Sequence, residues 1–320
     1  MTLSGGLFHR AVERWERFWF EEVPSDQFAL VRIAVGTAGL LSLIGFLPVP
    51  MFWSPDGIAP IPGGGYGLRN YVLASGLGVP AGWAIFLTLF GSFVCMILGL
   101  FTGPAIIACF LGSVFQTRWN SLPLTSGHTV LVALLFCLVW ADCGGWPSVD
   151  YWRRRRLPPS SQPIWPLRLI RAQVALIYLS SGLFKLLGAG WRDGSAIHYT
   201  TAQNVYGRFL DVYAVPVSYD WMLTLLTYGT LFWEIGFAFM LFNRVTRRVA
   251  LLLGIGVHGG ILLLMEVGPF SLVMLASYVA FLDPHSVARF TSNRGLGQIR
   301  SEPMLPADSP SAAVSSTPAA

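Results

Sequence analysis

Tyr178-Leu-Ser-Ser-Gly-Leu-Phe-Lys185-Leu-Leu-Gly-Ala-Gly-Trp191-Arg-Asp-Gly-Ser-Ala-Ile-His198-Tyr199 closes an apolar run that begins at Ile164. From Ile164 to Leu187 the run is long enough, at about 1.5 Å per helical residue, to cross a hydrocarbon layer about 30 Å thick. Arg168 and Arg171 lie near one end and Lys185 near the other. Lys185 is the only lysine in the chain; every other basic residue is arginine. A lysine at the end of such a helix either reaches for headgroups as an anchor or stays out of water as a base, because burial disfavours its charged form. Ser180, Ser181 and Gly182 let a neighbouring helix approach just below it.

The rest of the chain repeats this pattern. With 54% hydrophobic and 12% charged residues over 320 positions, the apolar surface is too large for one soluble core. Further spans are expected at about 28–47, 81–101, 103–117, 129–140, 221–242, 249–265 and 269–282. The expected fold class is therefore all-α, a polytopic integral membrane helical bundle of about eight transmembrane spans. The runs at 103–117 and 129–140 are short enough to form a re-entrant hairpin instead. Residues 1–27 hold Leu7, Phe8, Val12, Trp15 and Trp19 at helical spacing among arginines and glutamates. They read as an amphipathic helix on the membrane surface, without a cleaved leader. Residues 28–284 form the membrane domain, and 285–320, rich in serine, proline and alanine, read as a disordered tail.

The net charge of +5 sets topology and gives no reason to invoke nucleic acid. Under eight spans with the N-terminus inside, 13 arginines fall in inner segments, Arg153 to Arg156 among them. Arg69, Arg118, Arg192 and Arg208 fall outside. Both termini are thus expected in the cytoplasm, and the Lys185 end of its span, His128 and the Trp191 segment on the periplasmic side of an inner membrane. Cys95, Cys109, Cys137 and Cys143 lack metal-type pairing and read as small packing residues.

The polar groups within the apolar runs carry the functional question. Arg32, about a turn inside the first span, is expected to extend its guanidinium to the headgroups. Arg118-Trp119-Asn120 and seven further residues deliver His128 to the mouth of the fourth span. The stretch from Gly188 to Tyr219, with Arg192, Asp193, His198 and Arg208, is expected to fold over the mouth of the bundle. Glu234 and His258 lie deeper, either in helix-to-helix hydrogen bonds or ion pairs with Arg32 or Arg171, or in a proton path or substrate contact. No zincin, nucleophile-elbow, Walker or dinucleotide motif supports hydrolase, ATPase or nicotinamide chemistry.

At these residues the chain resembles the HTTM (horizontally transferred transmembrane) domain family, the bacterial relatives of vitamin K-dependent gamma-glutamyl carboxylase. One block is Tyr178 to Tyr199. A second is Phe270-Ser-Leu-Val-Met-Leu-Ala-Ser277, following His258. A third is Trp119-Asn120 with His128, Asp142 and Ser148-Val-Asp150. With Arg32 and Ser-Pro-Asp56-Gly57, the likeness covers about 28–284.

The resemblance implies that Lys185 matches the base that deprotonates vitamin K hydroquinone, and that His128 matches the carboxylase histidine, although Ser121 to Gly127 makes this turn longer. In the carboxylase the hydroquinone then reacts with dioxygen, and the strong base so formed removes a glutamate gamma-proton before carbon dioxide adds. On this reading the catalytic set is Lys185 and His128. The substrate- or quinol-binding set is Tyr178, Trp191, Arg192, Asp193, Asn120, His258 and Glu234. The cofactor is a reduced vitamin K of menaquinol type, and no metal takes part. The carboxylase's large luminal region has no counterpart here, so epoxidation is expected to persist and processive carboxylation of a protein is not. A second reading is a non-enzymatic membrane protein acting as maturation or immunity partner of a secreted or periplasmic peptide, with Lys185 an anchor. A transporter would require polar groups continuous across the bundle, for which Glu234 and His258 are too few.

Overall fold

In a medium without water, backbone amides and carbonyls must pair within their own segment, so long apolar runs fold as helices. The computed structural model describes residues 3–53, 71–72, 75–119, 125–153, 161–202 and 220–293. In chain order they form α1 (Leu3–Phe20), β1 (Glu22–Pro24), α2 (Asp26–Ile44), α3 (Val49–Trp53), α4 (Gly78–Leu98), α5 (Thr102–Trp119), α6 (Ser126–Val139) and α7 (Val149–Arg153). After these come β2 (Ser161–Pro163), α8 (Trp165–Lys185), α9 (Ala189–Arg192), α10 (Ala196–Ala202), α11 (Asp220–Met240), α12 (Arg244–Leu264), α13 (Phe270–Ser277), a 3-10 turn (Tyr278–Phe281) and α14 (Pro284–Asn293).

Among the described residues, five helices are long and apolar enough to cross a membrane: α2, α4, α8, Trp221–Met240 of α11, and α12. A sixth is reached if α13, the 3-10 turn and α14 count as one span broken by an 88° bend. The apolar stretches of α5 and α6 are shorter. The chain is an all-α, multi-pass membrane protein. Among the described residues, β1 pairs antiparallel with β2, Glu22 opposite Pro163, and this two-stranded sheet ties the start of α2 to the start of α8.

Two groups of helices share one core. The first is centred on α2, whose Phe28, Val31 and Val35 are buried against α4, α6 and α13. Gly39 permits this approach, because a Cβ there would lie 2.3 Å from the Phe93 ring. The second pairs α8 with α11, and α12 with α13. Helix α13 touches α2, α6, α8 and α12 and so joins the two groups.

Arg32 departs from expectation. It is wholly buried, with Nη1 donating to Cys143 O (2.9 Å) and Nη2 to Pro147 O (2.5 Å). The segment after α6 folds inward and supplies carbonyls closer than any headgroup, which removes the reason to extend outward. Gly99, at φ +68°, leaves the room: a Cβ there would stand 2.2 Å from Arg32 Nη1. Asp150 belongs to the same knot and caps α5, accepting from the backbone of Phe101 (3.1 Å) and Thr102 (2.7 Å).

Backbone carbonyls freed where α13 tightens into the 3-10 turn are also met by side chains. Gln27 Nε2 donates to Ala280 O (3.0 Å) and Leu282 O (2.7 Å), and Arg171 Nε donates to Ala280 O (2.7 Å). The expectation of a disordered tail from 285 is corrected at its start. Helix α14 continues to Asn293, because Val287 is buried and Thr291 donates to the buried Asp26 carboxylate at 2.7 Å.

Candidate functional site

On α8, Tyr178, Gly182 and Lys185 follow one another at four and three residues and so share a face. That face meets α11. A Cβ on Gly182 would lie 2.7 Å from Ile235 Cγ1 and 3.2 Å from Glu234 Cβ, so the missing side chain is what lets the two helices close. Across this contact the Lys185 ammonium is ion-paired with Glu234 Oε1. The Glu234 side chain is 9% exposed and that of Lys185 24%. The second carboxylate oxygen, Glu234 Oε2, is buried and has no hydrogen-bond partner among the described residues. After α8 the chain reverses at Gly188, whose N–H donates to Lys185 O (2.9 Å). Helix α9 then carries the Trp191 ring back to 4.8 Å from Lys185 Nζ, within cation–π range.

Two turns towards the bundle interior, Tyr178 Oη hydrogen-bonds both His258 Nε2 of α12 (2.6 Å) and Tyr278 Oη. His258 Nδ1 contacts Ser271 Oγ of α13 at 3.3 Å. Trp233 packs its ring 4.7 Å from that of Tyr178 and donates its indole N–H to Ala250 O (2.9 Å). Gly254 is needed here, since a Cβ would fall 2.1 Å from Tyr278 Oη. Tyr178, His258, Tyr278 and Ser271 are all buried. The array therefore gathers polar groups from three helices and the 3-10 turn beneath the Lys185–Glu234 pair.

The structure thus brings Lys185, Glu234 and Trp191 into direct contact, with Tyr178 and His258 below them. Glu234 takes the lysine, and neither Arg32 nor Arg171, as its partner. Arg192 and Asp193 stay at the surface of the cover. The Arg192 carbonyl accepts from Tyr228 Oη (2.9 Å). Asp193 accepts from the Ser195 N–H (3.0 Å) and hydroxyl (2.5 Å), which hold its carboxyl below the ordinary carboxylate range. Gly194, at φ +84°, seats the cover on Thr224 and Tyr228 of α11, and Thr227 Oγ1 accepts from Ile197 N (3.2 Å). Asn120 lies outside the described residues, as do Asp56, Gly57 and Arg208.

His128 belongs to a different neighbourhood. It is the third residue of α6, where its Nδ1 accepts from Thr125 N (3.1 Å), and its ring meets Phe46 in the turn after α2. Its Nε2 is buried without a partner among the described residues. It borders a cavity of about 10 Å³ lined also by Ser42, Ser113, Gln116 and Thr117. Gly127 beside it lies against the Phe270 backbone, and the Phe270 ring is 5.4 Å from that of His258. Phe270 therefore stands between the two histidines.

Sequence reasoning missed Tyr278, Ser271 and Trp233. Hydroxyls and an indole N–H inside apolar runs were the available signal, since each needs a partner there.

A model of the HTTM domain matches residues 77–285, more than half of the chain. Nine curated proteins match. Among them the uncharacterized protein YitO of Bacillus subtilis (strain 168) is 28% identical over 132 residues, 40% of this chain and 43% of YitO. The sporulation-delaying protein SdpB of the same organism is 28% identical over 123 residues, 37% of this chain and 38% of SdpB. The chain thus spans about two fifths of the length of these relatives. No solved structure matches.

Proposed function

The chain belongs to the HTTM domain family, and from that premise we propose that it is a proton-abstracting membrane protein acting on a reduced naphthoquinone. The working arrangement is an eight-pass bundle in the inner membrane with both termini cytoplasmic and the Lys185 mouth facing the periplasm. Helices α5 and α6 serve as its two short spans. The observation that carries this reading is the Glu234 carboxylate, buried with one oxygen held by Lys185 and the other without a partner among the described residues. A buried acceptor left open in this way invites a donor, and a quinol hydroxyl is one that an apolar site can admit.

Lys185 and Glu234 act as a unit. Glu234 takes the hydroxyl proton while the ammonium holds the oxyanion left behind, and Trp191 covers the ammonium against water. Tyr178, His258, Tyr278 and Ser271 form a separate hydrogen-bonded array beneath the pair. With dioxygen the net reaction is quinol plus dioxygen to quinone epoxide plus water. The test is turnover of a reduced naphthoquinone with dioxygen by purified protein, by Lys185→Ala and by Lys185→Arg. Loss in both variants is expected, since alanine removes the cation and the larger, planar guanidinium does not fit the ammonium's place between Glu234 and Trp191. A silent parent protein, or full activity in Lys185→Ala, overturns the proposal.

The likeness to SdpB, which is named for sporulation delay and for no reaction, supports a second reading. In it the α9–α10 cover docks a secreted peptide, and Lys185→Arg keeps function.

A further inference from the structure

Arg171 of α8 stands seven residues before Tyr178, and Arg247 of α12 stands seven before Gly254. Seven residues turn a helix by about 700°, so each arginine shares a face with the residue named and lies about 10.5 Å nearer the helix start. Tyr178 and Gly254 both meet Tyr278, the first through its hydroxyl and the second where a Cβ would fall 2.1 Å from Tyr278 Oη. Contacts of Lys185 with Glu234 and of Tyr178 with Phe237 set α8 and α11 antiparallel. Those of Trp233 with Ala250 and of Met240 with Thr246 do the same for α11 and α12. Helices α8 and α12 therefore run parallel, and the two arginines come to one level, about two turns from Tyr278, where both spans begin.

The charges at this level do not balance. Arg171 Nε and Nη2 donate to the carbonyls of Ala280 (2.7 Å) and Leu282 (3.3 Å), and Nη1 has no acceptor among the described residues. Arg247 is half-buried, and its guanidinium has no acceptor among them either. The charges that act most on Arg171 are Arg247 and then Arg168, with Asp283 the acid. The acids nearby are engaged: Glu21 holds Arg168 at 3.1 Å, and Asp283 accepts from the Ser286 N–H (2.9 Å) and hydroxyl (2.7 Å) and faces Arg244. Leu282, which lends its carbonyl to Arg171, is 47% exposed, so the cluster opens to the outside of the bundle there.

We propose that Arg171 and Arg247 bind the phosphate of an anionic phospholipid between the starts of α8 and α12. A phosphodiester accepts from two guanidiniums at once and relieves the repulsion between them. Its place between two spans, at the level where they meet the membrane surface, is where basic pockets take lipid headgroups. Each arginine near an anionic surface strengthens binding about fivefold, so the two give a preference of about 25-fold over a zwitterionic lipid.

The experiment uses the full chain, purified in a mild neutral detergent and offered an equimolar mixture of phosphatidylglycerol and phosphatidylcholine, with bound lipids counted by native mass spectrometry. The parent protein is expected to retain one phosphatidylglycerol with about a 25-fold preference, and Arg247→Gln to lose about fivefold of it. Arg248 is exposed and, six residues before Gly254, turned about 120° away from that face, so Arg248→Gln removes the same charge and is expected to behave as the parent. Arg247→Lys is expected to keep the preference within about twofold. Inorganic phosphate at millimolar concentration is expected not to displace the lipid. An unchanged preference in Arg247→Gln overturns the proposal, as does equal loss in Arg248→Gln, which would mean attraction by overall charge. A loss in Arg247→Lys as large as in Arg247→Gln overturns it in favour of packing, and displacement by inorganic phosphate in favour of a free-phosphate site. Arg171 is left in place because its bonds to Ala280 and Leu282 hold the fold.

Discussion

Replacing Lys185 by methionine keeps most of the side chain's volume and removes its charge, leaving Glu234 alone at 9% exposure with neither oxygen held by a side chain among the described residues. Removing one partner of a fully buried pair costs about 3–5 kcal/mol. The lysine here is 24% exposed and its end sits near the mouth, so the pair is less desolvated and a cost of about 2–3 kcal/mol is expected. Glu234→Gln is asymmetric with it. The amide keeps a hydrogen-bond acceptor, and the freed lysine can turn to water, so about 1–2 kcal/mol is expected. The double variant has no unpaired charge to bury, and its cost falls short of the sum of the singles by about 1–2 kcal/mol. The assay is unfolding in mixed detergent and lipid micelles, titrated with sodium dodecyl sulfate and followed by tryptophan fluorescence, for the parent, both singles and the double. Additive costs within about 0.3 kcal/mol would refute a coupled pair and the proton-accepting unit with it.

Gly182→Ala should force α8 and α11 apart against Ile235 and Glu234, costing about 1–3 kcal/mol in the same titration; wild-type stability would refute the close approach. Tyr178→Phe removes the hydroxyl shared by His258 and Tyr278, and a loss of about 1–3 kcal/mol is expected, with a neutral outcome counting against the buried array. Arg32→Met strands the Cys143 and Pro147 carbonyls and should cost at least about 3 kcal/mol or abolish insertion, read as expression in the membrane fraction; normal yield would argue that the guanidinium points elsewhere. The cavity at His128 is just large enough for one water, which a high-resolution map should show within 3.2 Å of Nε2; a dry cavity would refute it.

What the sequence made legible follows from periodicity and length. Apolar runs and the small residue at Gly182 are local signals, and the helices and their close approach followed from them. The Lys185–Glu234 pair joins residues 49 apart, and nothing in either run alone selects the partner, so two arginines were weighed for Glu234 instead. Arg32 misled for a related reason. A cation near the end of an isolated span is cheapest at the headgroups, and only the inward fold of the segment from Cys143 to Pro147 brings carbonyls nearer. The bend between Phe281 and Pro284 falls at the end of the expected eighth span, and the side chains that meet the carbonyls beside it, Gln27 and Arg171, come from far along the chain.

The two ends of α8 differ in kind, and the difference bears on where chemistry can reside. Near its start, Arg168 pairs at the surface with the exposed Glu21, while Arg171, like Gln27 and Arg32 in the neighbouring helix, donates to backbone carbonyls. A carbonyl acceptor neither gains nor loses a proton near neutral pH, so these bonds fix the fold and leave no protonation step to exploit. About 21 Å along the helix, at 1.5 Å per residue, Lys185 is satisfied instead by another titratable side chain, and Tyr178 between them by a histidine and a second tyrosine. Partners that can each hold or release a proton can exchange it without moving a helix. Among the described residues, a buried carboxylate oxygen is left open to an incoming donor at the Lys185 end. The proton chemistry proposed for this protein therefore rests on the face shared by Tyr178, Gly182 and Lys185.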